Sequence, residues 1–187
     1  LLELLEGQGR FAEASTLLER LPKDVTALSG HRVNVSVGLG DYDAAVGEVQ
    51  QRMTADPQDA ASRITMARLV YVQKKDAKAA LALLDQAAAI SPDLPALLTS
   101  RVAILLADGH SEEALALLDR EVERRNDFAT YQLRAAFHEG AGRAADAEKD
   151  YQHLTTFKDS AARGYEALGR FYGRSNKGEQ SIAACEA

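Results

Sequence analysis

The sequence predicts an all-α protein built from about six antiparallel helical hairpins. Three kinds of residue recur in register every 31 to 35 residues: a turn residue, then a small residue, then a larger one. Helix-forming residues fill the segments between the turns. No stretch alternates over any length with the period of a strand. Because a fixed period of this length is typical of stacked helical repeats, we expect one repeat array across residues 1–187.

The repeat is defined by three positions. The turn residues are Gly9, Gly40, Lys75, Gly109, Gly142 and Asn176. The small residues, expected to let helix backbones approach closely, are Ala14, Ala45, Ala80, Ala114, Ala147 and Ser181. The larger residues four positions later are Leu18, Val49, Leu84, Leu118, Tyr151 and Cys185. Chance would not hold three positions in register over six repeats.

Each repeat contributes two helices. The predicted repeats span residues 1–24, 25–59, 60–94, 95–127, 128–160 and 161–187. First helices are predicted at 1–8, 25–39, 60–74, 95–108, 128–141 and 161–175. Second helices are predicted at 11–21, 42–55, 77–90, 112–125, 145–157 and 179–187. Pro22, Pro57 and Pro92 end second helices. In the fourth repeat we expect Ser111 to cap a helix whose first turn carries Glu112 and Glu113.

Composition excludes several functional classes. The chain is 46% apolar and 27% charged with a net charge of −6, as expected for a soluble folded protein. This mild acidity argues against nucleic-acid binding. No apolar run approaches the roughly 18 residues that would span a bilayer. The four histidines do not cluster as metal ligands, no phosphate-binding loop is present, and Cys185 is expected to be a buried thiol. We therefore expect no enzyme, cofactor or metal.

The pattern resembles the tetratricopeptide repeat (TPR) family. The sixth repeat carries Tyr165-x2-Leu168-Gly169-x2-Tyr172, and the second carries Gly40-Asp41-Tyr42-Asp43-x-Ala45 and ends in Asp56-Pro57. The resemblance covers essentially the whole chain. It implies a right-handed superhelical solenoid, with the first helices on the concave face and the second helices on the convex face. It also implies that a protein or peptide partner binds the concave face.

Positions expected on the concave face supply the candidate binding residues. They are Asn34, Arg68, Tyr71, Thr99, Gln132, Glu139, Arg163, Glu166, Arg170 and Arg174. The first helix of the sixth repeat carries three arginines and one glutamate. This helix is therefore basic, although the whole chain is acidic. It could take an acidic or C-terminal carboxylate segment through charge-assisted hydrogen bonds. Alternatively, its arginines are simply solvated.

Arg32, Arg101 and Arg134 recur at one position of the repeat, and Arg68 lies one position later. They form either a structural row lying over the core or a basic stripe for an acidic ligand. The structural interpretation is favoured and requires acids from other helices. Asp85 and Asp119 are the best candidates.

The leading prediction is a non-enzymatic scaffold that binds a protein or peptide. The alternative is an architectural spacer in a larger bacterial assembly, such as a polysaccharide-export or secretion complex. A third hypothesis is a regulatory module fused to an enzyme. Arginine outnumbers lysine 15 to 7, which is typical of proteins from GC-rich bacterial genomes. The sequence fits either the bacterial cytoplasm or the periplasm. We expect a piece of a longer array, rather than a short protein with frayed ends. Its apolar ends could pair between copies.

Overall fold

The computed structural model describes residues 1–22, 25–175 and 177–186, except for the side chains of Thr26 and Cys185. Within these ranges all regular structure is helical, which confirms the predicted all-α class. Within each part of the fold, consecutive helices pack against each other as antiparallel hairpins. The chain divides into two compact units, an N-terminal unit of Leu1–Gly109 and a C-terminal unit of His110–Ala187.

The N-terminal unit holds seven of the described helices. They are α1 Leu2–Gly7, α2 Phe11–Glu19, α3 Ser29–Gly38, α4 Tyr42–Ala55, α5 Ala60–Lys74, α6 Ala77–Ile90 and α7 Pro95–Ala107. A 3₁₀ turn, Thr26–Leu28, precedes α3, so this helix begins four residues later than predicted. The core of this unit is mainly aliphatic, with Ile64, Leu84 and Val49 among its buried residues.

The C-terminal unit holds five of the described helices. They are α8 Ser111–Arg125, α9 Phe128–Gly140, α10 Ala144–Leu154, α11 Ala161–Arg174 and α12 Gly178–Glu186. Helix α10 ends three residues earlier than predicted, and a 3₁₀ turn, Lys158–Ser160, leads into α11. The core of this unit is rich in aromatic residues, including Tyr151, Phe171 and Tyr172.

The small residue of each second helix lies where the hairpins pack most closely. All five alanines at this position are fully buried: Ala14, Ala45, Ala80, Ala114 and Ala147. At the same position in the last repeat, Ser181 Oγ donates a hydrogen bond to the carbonyl oxygen of Gly169 at 2.8 Å. The predicted role of these positions is confirmed.

The turn residues share a left-handed backbone. Gly9, Gly40, Gly109 and Gly142 have φ between +70° and +84°, and Lys75 has φ +55°. Glycine adopts this conformation without a steric penalty, whereas for an L-residue it costs about 1 kcal/mol. Lys75 therefore carries strain that the other four turns avoid. The sixth predicted turn residue, Asn176, lies outside the described residues.

The predicted cap of α8 is wrong. His110 is the N-cap residue and makes no side-chain capping bond, while Ser111 is the first helical residue. In every hairpin with a left-handed turn residue, the N-cap is the next residue in the chain. After Gly109 that residue is His110, so Ser111 comes one position too late to be the cap. Aspartates cap four other helices, each accepting a backbone N–H three residues on. They are Asp41, Asp59, Asp76 and Asp127.

Candidate binding surfaces

A groove of about 380 Å³ opens in the N-terminal unit between α3 and α5. We call it the α3–α5 groove, and parts of α1, α2 and α4 complete its walls. Its buried apolar lining includes Val33 and Leu69. Val37 and Val72 also line it and are 37% and 44% exposed. The groove therefore offers apolar surface that solvent can reach.

One carboxylate lines the groove, and neighbouring side chains already bind it. Asn34 Nδ2 donates to Glu6 Oε2 at 2.9 Å, and Nδ1 of His31 lies 2.6 Å from Glu6 Oε1. Asn34, a predicted binding residue, is thus in the groove but bound to Glu6. These contacts tie α1 to α3, and the Glu6 side chain is only 13% exposed.

Arg68 is the cation of the groove, as its predicted concave position suggested. It is exposed, and no described residue gives it a hydrogen bond or an ion pair. On α5 it lies on one helical face with Thr65 and Val72, at spacings of three and four residues. The groove thus combines apolar walls with one unneutralised guanidinium.

Two further predicted residues of the N-terminal unit do not line the groove. Tyr71 is only 8% exposed and belongs to the core, and Lys75 Nζ lies 5.3 Å from its ring centroid. Burial, and to a lesser extent the charge of Asp108, raises the pKa of the Tyr71 hydroxyl. Thr99 is exposed on α7, and its Oγ1 donates to carbonyl oxygens of its own helix.

In the C-terminal unit, the predicted residues Glu139 and Arg174 bind each other. Arg174 Nε and Nη2 donate to the two oxygens of Glu139 at 2.6 and 2.8 Å. The Tyr151 hydroxyl also donates to Glu139, at 2.9 Å. The bonds from Arg174 lower the pKa of Glu139. Burial, then the bond to Glu139, raises the pKa of Tyr151 to about 12.

The remaining predicted residues of this unit lie on its surface. Arg170 forms an ion pair with Glu166 one turn earlier on α11. The Arg163 guanidinium lies 4.9 Å from the centroid of the Phe128 ring. Gln132 is exposed on α9. Two of the three arginines of α11 therefore already have carboxylate partners, and much of the predicted basic character is neutralised locally.

The arginine row has the structural partners that were predicted for it. Arg101 Nη2 donates to Asp85 at 2.6 Å, and Arg134 Nη1 donates to Asp119 at 2.8 Å. The Arg32 Nη2 group donates to the carbonyl oxygen of Pro22 at 2.8 Å. The predicted partners Asp85 and Asp119 are confirmed, whereas Arg32 binds a backbone carbonyl and no acid among the described residues.

Sequence reasoning missed a third partner in this row. Asp150, which is buried, accepts from Arg134 Nε and Nη2 at 2.8 and 2.7 Å. Arg134 thus joins α8, α9 and α10, and these bonds raise its pKa. The sequence did hold a signal for this contact, because Asp150 directly precedes Tyr151, which was expected to pack in the core. A carboxylate buried near such a position needs a charged or hydrogen-bonding partner.

A second polar network in the C-terminal unit was also missed. The Tyr172 hydroxyl donates to Glu148 Oε1 at 2.9 Å, and Lys177 Nζ donates to Glu148 Oε2 at 2.8 Å. Lys177 lowers the pKa of Glu148. Gln152 Nε2 donates to the Tyr172 hydroxyl at 3.3 Å. This network ties α10 to α11 and to the residue preceding α12.

Two negative findings apply to the described part of the chain. It contains no group of three or more histidine, cysteine, aspartate or glutamate residues arranged to hold a metal ion. None of its helices has both the length and the apolar character needed to cross a membrane.

These features define the class of protein. Short antiparallel hairpins with left-handed turns, packed through a small residue in each second helix, make up the TPR fold, and the described part of this chain has that fold. The crystal structure of TTC0263, a thermophilic TPR protein of Thermus thermophilus, matches with a TM-score of 0.61. The match covers 90% of this chain and 95% of that one at 22% identity. A crystal structure of MamA matches with a TM-score of 0.51 at 14% identity, covering 89% and 93% of the two chains.

One curated relative is similar in sequence. Cellulose synthase operon protein C of Xanthomonas axonopodis pv. citri (strain 306) is 33% identical over 146 residues. The match covers 72% of this chain but only 10% of the length of that relative. No protein-family model matches the chain.

Proposed function

We propose that this chain is a non-catalytic protein-binding scaffold that holds a peptide or protein segment in the α3–α5 groove. The open, partly apolar groove on two first helices is the observation that carries the proposal. Because helices held by buried packing form its walls, a partner would bind without ordering the scaffold first. Such preorganisation lowers the entropic cost of binding.

Site-specific crosslinking in the bacterium that encodes the chain tests this proposal. A photoreactive amino acid replaces Val72 in the groove or, as a matched control, the exposed Lys78 on α6. We expect illumination to give a defined protein adduct from position 72 and none from position 78. Equal adducts from both positions, or adducts from position 78 alone, would contradict binding in the groove.

A second candidate function is an architectural role in a bacterial assembly that makes or exports cellulose. It is favoured by the similarity to cellulose synthase operon protein C, and it makes the chain one stretch of a longer scaffold. Deletion of the encoding gene should then abolish cellulose output, and the wild-type gene should restore it. Unchanged cellulose in the deletion strain would rule this role out.

Two finer predictions about partners remain proposals. Acidic segments binding at α11 would have to displace Glu166 and Glu139 from Arg170 and Arg174. Replacing both arginines with glutamate should then reduce affinity for a crosslinked partner, and unchanged affinity would contradict this site.

End-to-end pairing of copies is supported by apolar residues that solvent reaches at the termini. They are Leu1, Leu4 and Ile182. Sedimentation velocity over a range of concentrations tests pairing, with Leu4→Glu and Ile182→Glu as the variants expected to abolish it. A chain that stays monomeric at every concentration would contradict pairing.

A further inference from the structure

We infer that the α3–α5 groove selects an acidic partner, namely a segment that buries apolar side chains against the valines and presents a carboxylate to Arg68. The inference rests on the proposed function, because it requires that the groove bind a protein segment. It adds the chemistry by which the partner is recognised.

The charges of the groove carry the inference. The Glu6 side chain is only 13% exposed and is held by His31 and Asn34, whereas Arg68 is exposed and no described residue pairs with it. The charge that a partner can reach most easily is therefore the positive one on Arg68. The guanidinium offers parallel N–H donors that match both oxygens of a carboxylate.

The surroundings of Arg68 make this charge selective. Val72 lies one helical turn beyond it on α5, and Val37 lines the groove from α3. A partner seated on these valines would exclude water from the ion pair, which strengthens the Coulomb attraction. Binding of the apolar side chains and pairing of the carboxylate would therefore support each other.

The charge of the whole unit argues against a polyanion as the occupant. Residues 1–109 contain 11 Lys and Arg against 14 Asp and Glu. A nucleic acid or a strongly anionic surface would meet net repulsion and would need a basic patch. A short segment with one or two carboxylates among apolar side chains carries little charge to be repelled, and it can pair with Arg68 directly.

Selection from a phage library of random peptides of about 12 residues, a length that spans a groove of this kind, tests the inference. The complete 187-residue chain is the target. We expect enriched peptides to combine Asp or Glu with apolar residues. Their affinity, measured by fluorescence polarisation, should fall about tenfold or more in Arg68→Glu, which corresponds to about 1.4 kcal/mol.

Arg20→Glu is the matched control, because it makes the same charge change at an exposed residue outside the groove. It should change affinity less than about twofold. A peptide whose carboxylate is replaced with lysine should bind Arg68→Glu better than wild type. Circular dichroism and the melting temperature verify that each variant is folded.

Different failures have different meanings. If enriched peptides bind Arg68→Glu as well as wild type but lose affinity for Val72→Glu, the acidic preference is overturned and the groove remains a binding site. If neither substitution changes affinity, or if no peptide is enriched, both the inference and the proposed groove function fail.

Discussion

The two units use the same hairpin but assign their polar side chains differently. In the C-terminal unit, Arg134, Arg174 and Tyr172 join their helices to others through short hydrogen bonds to carboxylates. In the N-terminal unit, Arg101 pairs with an aspartate whose side chain is 67% exposed, and Arg68 has no partner among the described residues. Both units thus join helices through polar side chains, but the N-terminal unit also leaves a groove with an available charge.

The largest expected effect is the loss of stability when Arg134 is replaced, and the comparison is with Arg101, which holds the same repeat position in the N-terminal unit. Arg134→Met leaves the buried carboxylate of Asp150 with only the His138 ring as a described partner, 4.0 Å away, and should cost about 3 kcal/mol. Arg101→Met leaves a carboxylate that water can solvate and should cost less than about 1 kcal/mol. Urea unfolding followed by circular dichroism measures both. Equal losses would mean that the two units do not differ in this respect.

A smaller effect is expected where α11 crosses the end of α10. A Cβ at Gly164 would lie 2.5 Å from the carbonyl oxygen of Leu154, and backbone cannot move aside as a flexible side chain can. Gly164→Ala should therefore destabilise the C-terminal unit by about 2 kcal/mol. Gly47→Ala on α4 meets open space and should stabilise the N-terminal unit by roughly 0.5 kcal/mol. Thermal unfolding compares them, and a stabilising Gly164→Ala would contradict the close approach.

Alkaline pH should weaken the C-terminal unit through Tyr151. Its pKa is raised from 10.0 to about 12, so the folded state keeps a proton that the unfolded state releases. The resulting stability is complete below about pH 10 and is lost as the pH rises towards 12. Urea midpoints measured across this range should fall for the wild type and fall less for Tyr151→Phe. Identical slopes would contradict the assignment, although Tyr172, whose pKa is also raised, contributes to both.

The smallest effect concerns Lys75, the repeat turn residue that is left-handed without being a glycine. Lys75→Gly removes about 1 kcal/mol of left-handed strain, but it also removes the cation over the Tyr71 ring. A net gain of about 0.5 kcal/mol is expected in the melting curve. Lys74→Gly, one residue earlier in helical conformation, should instead lose about that much. Two losses would show that the lysine side chain outweighs the backbone strain.

Features set by local geometry were predictable from sequence. A turn that needs a left-handed residue selects glycine, and close helix contact selects alanine, so Gly109 and Ala114 mark their positions directly. The pairing of Arg101 and Arg134 with Asp85 and Asp119 also followed, because stacking hairpins of constant length brings constant positions together.

Features that depend on packing between helices were not predictable. Tyr71 has the sequence position of a groove residue, but the structure turns it into the core. Arg174 binds Glu139, which lies 35 residues earlier in the chain. The repeat pattern does not show which side chains from different hairpins are close enough to bond. The α3–α5 groove likewise arises from the spacing of two helices, which no residue type encodes. Its polar member Arg68 was predicted, but its lack of a partner was not.

Repeat proteins grow and diversify by duplicating or exchanging hairpins, and the Arg134 contacts bear on where exchange can succeed. This guanidinium is held by carboxylates on the helices before and after its own. A recombination point on either side of α9 would separate it from one of them, and a point after α9 would leave Asp150 buried and unpaired. Exchange there is viable only when the incoming hairpin brings a matching charge. At Arg101 the exposed partner makes a mismatch tolerable, so the N-terminal hairpins are freer to diverge.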